Sequence, residues 1–216
     1  MKRLVRALAF GGLFFVLSAG AALASSFTVT LDTSPLSGPQ ILLFGLTDGD
    51  GAADNTITLS GFGFGGGGAI AGTEDCTLGG ALSGLGCSGD LTGGVSLSDV
   101  DSQTFFLQQF NAGASLSFTL TTTNNFSGGF PDQFAMYLCD VSFSTCYSND
   151  PSGAMLVLNL TGEPLSPSSF IVNGATDQNL TAPVISAVRV PEPASLFLLA
   201  TGMAGAAMRS KRRLRK

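Results

Sequence analysis

Histidine and tryptophan are absent from this chain, tyrosine occurs twice, and the stretch from Ser25 to Val188 contains neither lysine nor arginine. Each absence closes off chemistry. Without His or Lys that stretch can build no Ser-His-Asp or Cys-His site, no Ser-Lys dyad and no His-ligated metal centre. Without cations it cannot make the phosphate contacts on which nucleic-acid binding rests, so nucleic acid is excluded as a partner. Of the fifteen Asp and Glu residues, all but Glu192 lie in the same stretch, so a whole-chain charge of −5 conceals a central part near −14. Such a polyanion is also repelled by anionic membrane surfaces.

The cations that do exist sit almost entirely at the two ends: Lys2, Arg3 and Arg6 in front, and Arg209, Lys211, Arg212, Arg213, Arg215 and Lys216 behind. Each cluster abuts an apolar run. In front, a positive segment, an apolar core from Leu8 to Leu17 and the small-residue pattern Ala22-Leu23-Ala24 before Ser25 have the build of a secretory signal peptide over residues 1–24. Cleavage is expected after Ala24. The rival, an uncleaved anchor helix, is disfavoured by the shortness of the apolar core.

Behind, Ala194 to Met208 carries no charge. As a helix at about 1.5 Å per residue it reaches roughly 22 Å, short of a hydrocarbon core of about 30 Å. Arg209 and Lys211 can snorkel to lengthen the effective span, and the basic residues after the run favour a cytoplasmic tip. The expectation is a single C-terminal transmembrane helix over about 194–208, a basic tip over 209–216 and the body outside. An ordinary single-pass anchor and a tail packed in a small-residue helix pair are the alternatives.

Val190-Pro191-Glu192-Pro193 precedes that run. Pro-Glu-Pro, short hydrophobic segment and Arg-rich tip together resemble the PEP-CTERM sorting signal of exported Gram-negative bacterial proteins, over residues 189–216. The resemblance implies that an exosortase, an integral-membrane cysteine protease, recognises and processes the tail, and that the body passes to the cell surface or the exopolysaccharide matrix. Pro191, Glu192 and Pro193 carry it. A proline on either side keeps Glu192 extended and outside the helix.

Between the ends, about 164 residues suffice for one domain with a substantial core, and thirteen of the seventeen Phe residues lie there. The four cysteines fall as Cys76 with Cys87 and Cys139 with Cys146. An even count in an exported chain favours disulfides. Of three connectivities the two local pairs are preferred, because each lies within one loop or hairpin-like segment. Metal ligation is the rival, but no His is present and neither pair is spaced C-x-x-C.

Period-two alternation dominates the body. Phe27, Val29 and Leu31 alternate with Thr28 and Thr30; Leu116, Phe118 and Leu120 with Ser115, Ser117, Thr119 and Thr121; Phe134, Met136 and Leu138 alternate likewise. Further strands are expected over 41–46, 56–61, 104–110, 154–160 and 168–172, punctuated by Gly, Asn, Asp and Pro. Seven or eight short strands predict an all-β fold, an antiparallel β-sandwich or jelly roll, over 25–173, with 174–188 as linker to the tail.

The Gly-rich stretch from Gly61 to Gly94 reads as a long surface loop stapled by Cys76 and Cys87. A phosphate-binding loop is the sharper alternative, but the Gly-Lys-Ser/Thr ending is missing. The blocks Leu46 to Leu59, Phe62 and Phe64 with the Gly run, Asn125-Phe126-Ser127-Gly128-Gly129 and Pro131-Asp132-Gln133-Phe134 make the body similar to a Phe- and Gly-rich group of PEP-CTERM proteins. That likeness implies a secreted β domain of unassigned activity.

The acidic constellation of interest is Asp48, Asp50 and Asp54 in Asp-Gly-Asp-Gly-Ala-Ala-Asp-Asn. Hard oxygens at alternate positions with Gly51 between them resemble the start of a calcium loop, although the distal bidentate Glu is missing and Asp-Gly is also a hairpin turn. Paired catalytic carboxylates have no indicated partner: Glu74, Asp75 and Glu163 lie in loop-like surroundings. Thr28 and Thr30, Thr56 and Thr58, and Thr119, Thr121 and Thr123 place Thr along strand faces. Such ladders can order water, and Thr is also an ordinary solvent-facing strand residue.

These features predict a non-enzymatic, exported protein of the envelope, surface or matrix, structural or adhesive in role and transiently anchored in the inner membrane. An exosortase-like protease is its expected partner, and exopolysaccharide a further one. The alternative is a calcium-dependent carbohydrate-binding module, with ice binding behind it. No cofactor other than calcium is indicated.

Overall fold

Alternating apolar and hydroxyl residues decide the architecture, because a strand with one greasy face must lay it against another sheet. A computed structural model describes residues 24–175 and 179–188. The expected signal peptide up to Leu23, the sorting residues Pro191, Glu192 and Pro193, the apolar run 194–208 and the basic tip lie outside the described residues. Among those described, no helix is long and apolar enough to cross a membrane.

Twelve strands form two antiparallel sheets: β1 (Ser25–Asp32), β2 (Pro39–Thr47), β3 (Thr56–Gly63), β4 (Gly68–Ala69), β5 (Cys87–Asp90), β6 (Gly94–Ser98), β7 (Gln103–Asn111), β8 (Ser115–Thr122), β9 (Asp132–Asp140), β10 (Leu156–Leu160), β11 (Phe170–Val172) and β12 (Val184–Ala187). Sheet A runs β12-β1-β8-β3-β6-β5 and sheet B runs β11-β10-β9-β2-β7-β4. A single apolar cluster between them takes Phe27, Val29, Leu59, Leu97, Phe118 and Leu120 from sheet A, and Leu42, Phe44, Phe106, Phe110, Phe134 and Leu158 from sheet B.

Phe44 centres this core. Its ring lies 5.6 Å from Phe118 across the sandwich in an edge-on arrangement, 6.1 Å from Phe62 and Phe134, and 6.4 Å from Phe106. Each fully buried Phe is worth about 2–3 kcal/mol in apolar transfer, and such ring pairs add about 1 kcal/mol each. On the outer face of sheet B, the Phe105 ring covers Gly45 so closely that a Cβ there would sit 2.7 Å from it.

The strands expected from alternation are present as β1, β2, β3, β7, β8, β9, β10 and β11. Four others were not anticipated. Within the expected Gly61–Gly94 loop lie β4 and β5, the latter pairing Cys87 to Leu97 and Ser88 to Ser96. Leu91, buried in the core, is held there as its N–H donates to the buried Gln108 Oε1 at 2.7 Å. Strand β6 directly follows, with Val95 and Leu97 inward.

The expected linker 174–188 needs correction. Ala175 bridges Leu180, and Val184 to Ala187 form β12 against β1, so the sheet continues almost to the sorting segment. Only Ile185 of that strand reaches the core. A four-residue edge strand with one inward side chain has too little periodicity to be read from sequence.

Register sorts the sandwich into two ends. Ser25, Thr47, Thr56, Ser98, Thr122, Asp132 and Ala187 lie at one, the Ser25 end; Asp32, Pro39, Asn111 and Asp140 lie at the other. Both pairs of cysteines are joined as expected, Cys76 to Cys87 and Cys139 to Cys146.

Candidate functional site

Two surfaces stand out, and each follows from strand placement. The first is an acidic hub at the Ser25 end, where the segments after β2 and β6, before β3, and at the start of β9 converge. Asn55, 1% exposed, is its organiser. Its backbone N–H donates to Asp99 Oδ2 at 2.8 Å and its side-chain amide donates to Asp132 Oδ2 at 2.7 Å and to the Asn125 carbonyl at 3.0 Å. In return Asn55 Oδ1 accepts from Asn125 N–H at 2.9 Å and from the Thr123 hydroxyl at 3.1 Å.

Asp132 and Asp99 are as buried as Asn55, at 0% and 2% exposure. Asp132 Oδ1 accepts from Gly49 N–H at 2.8 Å, which pulls the β2–β3 loop onto the start of β9. The fit requires glycine: a Cβ on Gly49 would lie 2.4 Å from the Pro131 carbonyl oxygen. The same loop is pinned by Asp50, whose carboxylate accepts from Ala52 N–H at 2.9 Å and Ser127 N–H at 2.7 Å, and by Asp48, which accepts from Gly51 N–H at 2.6 Å.

Burial pushes the Asp99 carboxyl up to about 6, helped by the hydrogen bond and charge of Asp132 and opposed by the Asn55 and Asp54 amides. Asp54 is also raised, by partial burial and then by the charges of Asp50, Asp132 and Asp48. Asp50 is lowered by the Ser127 and Ala52 amides. Two buried carboxyls side by side repel when both ionise, and no Lys, Arg or His exists between Ser25 and Val188 to offset them.

Asp48, Asp50 and Asp54, anticipated as one ligand set, divide between two. Asp48 and Asp50 join Asp132, and Asp54 joins Asp99 and Asp132, each trio with carboxylate oxygens within 4.8 Å of one another. Asp132 is common to both. Asp99 and Asp132 were missed in sequence because they lie 45 and 78 residues from Asp54, and isolated Asp residues beside turns carry no signal. Oxygen donors of this kind suit a hard cation, with carbonyls and water completing six to eight ligands.

The second surface is the outer face of sheet A. Pairing sets Ser186, Thr28, Thr119 and Ser60 in one cross-strand row, and Ser26, Thr121, Thr58, Ser96 and Ser88 in the next. Thr30 faces Ser117 in a third. The Ser26 and Thr121 hydroxyls lie 2.8 Å apart. This face is hydroxylated and free of charge, bounded by Asp32 and Asp90. Thr56 is in β3, whereas Thr123 follows β8 and turns into the acidic hub.

Beyond the described sandwich, residues 189–213 match the family model described as the PEP-CTERM protein-sorting motif. The chain carries a PEP-CTERM sorting motif. Such a motif implies exosortase-dependent export to the cell envelope, and the all-β body of this PEP-CTERM chain suits a surface protein. No curated protein and no solved structure matches the chain.

Proposed function

We propose that this PEP-CTERM chain is a non-enzymatic component of the cell surface or extracellular matrix, delivered by cleavage after Ala24, held in the inner membrane by residues 194–208, and processed by an exosortase-like protease. Its outer role is adhesive: the hydroxyl face of sheet A lies against a neutral polysaccharide of the matrix. The observation that carries this reading is the charge-free Ser/Thr array, with Thr28 paired to Thr119 and Thr58 to Thr121. Hydroxyls spaced about 4.8 Å apart along each cross-strand row offer a repeating set of donors and acceptors to a hydroxylated polymer. A body near −14 disfavours acidic polysaccharides.

Co-sedimentation of the exported protein with neutral and with acidic exopolysaccharide tests the reading. Binding to the neutral polymer, lost in a Thr28→Glu/Thr119→Glu double variant, is expected. Retention on both polymers, or on neither, overturns it. The same array suits ice, and unchanged ice-crystal growth in the presence of pure protein removes that alternative.

A second reading is supported by the hub: calcium bound through Asp132, with Asp48 and Asp50 or with Asp54 and Asp99, stabilising the loops at the Ser25 end. Buried carboxylates in a body without internal cations favour it. In a calcium-dependent carbohydrate-binding module, polysaccharide binding itself would weaken when calcium is chelated.

A further inference from the structure

A groove of about 490 Å³ opens on the outer face of sheet B, remote from the hydroxyl face. Its floor is aliphatic, made by Ile41 and Leu43 of β2 and Leu107 of β7, with Gln109 beside them. Its walls are two loops tied by the two disulfides. From the Cys76–Cys87 loop comes Leu78, with Asp75 immediately before the loop; from the Cys139–Cys146 hairpin come Val141 and Phe143.

Both walls are built in the same way. Asp75 accepts from the Thr77 N–H at 2.6 Å, the Thr77 hydroxyl at 2.7 Å and the Gly79 N–H at 2.6 Å, and three residues after it Leu78 stands at φ 48°. Asp140 accepts from the Ser142 N–H at 2.8 Å and the Ser144 N–H at 3.1 Å, and three residues after it Phe143 stands at φ 55°. A left-handed conformation is unfavourable for a bulky apolar residue and persists only where surrounding bonds enforce it. Among the described residues, the only other non-glycine at positive φ is Asn179. Two carboxylates thus hold two apolar side chains beside a groove, where Phe143 stays 47% exposed.

Charge selects the occupant. Asp75 is the one charged residue lining the groove, and no cation exists from Ser25 to Val188 to balance it. The Thr77, Leu78 and Gly79 groups orient the carboxylate, and its negative charge, with no cation of the body to offset it, faces any positive group in the groove. The Gln109 side-chain amide, half-buried, makes no hydrogen bond to a described residue and is free to donate or accept. The volume matches a small molecule, not a helix. An aliphatic floor disfavours a sugar, and the acidic body disfavours an anionic lipid.

We propose that this groove binds a small cationic amphiphile, its apolar part lying on Ile41, Leu43 and Leu107 against Phe143 and Leu78, and its positive group beside Asp75. The site is separate from both the hydroxyl face and the acidic hub.

Titration calorimetry of the exported protein, disulfides intact, with octyltrimethylammonium and with octanesulfonate below their micelle concentrations tests the proposal. At about 0.15 M salt, where distant charges are screened beyond about 8 Å, one molecule of the cation binds per chain. It binds about tenfold more tightly than the sulfonate. Phe143→Ala and Leu107→Gln each weaken it by about tenfold through lost apolar contact. Asp75→Asn, which keeps an acceptor for Thr77, removes the preference for the cation while octyl glucoside binding stays unchanged. Equal binding of the sulfonate, or binding undiminished in both Phe143→Ala and Leu107→Gln, overturns the proposal.

Discussion

Val188 donates its backbone N–H to the Ser26 carbonyl at 2.9 Å. The last described residue before the sorting segment is therefore fastened to the second residue after the expected signal cleavage. The described chain thus starts and finishes side by side at the Ser25 end, which also holds Asp48, Asp50, Asp54, Asp99 and Asp132. The groove between the disulfide loops opens toward the other end.

That arrangement bears on where the tail can be cut. A chain ending at Val188 keeps β12 and melts with the same midpoint as a longer one. Ending at Pro183 removes β12, including the Ile185 contact with the core, at a cost of about 2 kcal/mol. For a domain of this size that lowers the melting temperature by about 4–8 °C. Equal melting of the two truncated chains refutes a structural role for β12.

Export rests on the sorting motif. Glu192→Ala should leave full-length protein in the membrane fraction, whereas the parent is processed. Mass spectrometry of medium and envelope fractions reads both termini and the disulfide state together. An unchanged release pattern in the variant removes the processing step.

The two disulfides close loops of similar length, with separations of 11 and 7 residues. Chain-entropy arguments give each about 2–3 kcal/mol. Replacing both cysteines of either pair with Ser should thus destabilise the body by similar amounts in urea melts. A pair whose loss changes nothing would be one that does not form in the exported protein.

Most of the sandwich was legible because Phe27-Val29-Leu31 and Leu116-Phe118-Leu120 alternate with hydroxyls over whole strands. The local cysteine pairing was legible from proximity. What escaped was carried by register. Asp132 and Asp99 become neighbours of Asp54 only because the starts of β9 and β3 and the end of β6 meet at one end of the sandwich. Leu78 and Phe143 flank one groove only because two distant loops fold over the same sheet face. The edge strand β12 escaped for a simpler reason: it is short, and one side chain faces inward.

Asp99 predicts an unusual pH dependence. Its folded pKa, about 6, lies above the ordinary 3.8, so the folded state holds the proton more tightly. The resulting stability is fully present below about pH 3.8 and is lost as the pH rises through about 6. Asp75, Asp90 and Asp140 work in the opposite direction, since hydrogen bonds hold them below the usual range and their contribution is lost in acid. In calcium-free buffer, Asp99→Asn should flatten the decline between pH 4 and 6 in urea midpoints while leaving the acid limb. A decline of equal slope in the variant would assign it to another group.

Calcium, if held by the hub, reverses the problem that Asp99 and Asp132 create. A cation offsets both charges, so the pH dependence near 6 disappears when it is bound. At about a hundredfold excess over the dissociation constant, it stabilises the body by about 2.7 kcal/mol. That is a rise in melting temperature of about 5–10 °C. Because Asp132 belongs to both trios, Asp132→Asn should abolish the rise. Asp48→Asn and Asp54→Asn distinguish the trios: only the variant in the occupied one reduces the response. A flat melting temperature on adding calcium to the parent leaves protonation of Asp99 as what relieves its proximity to Asp132.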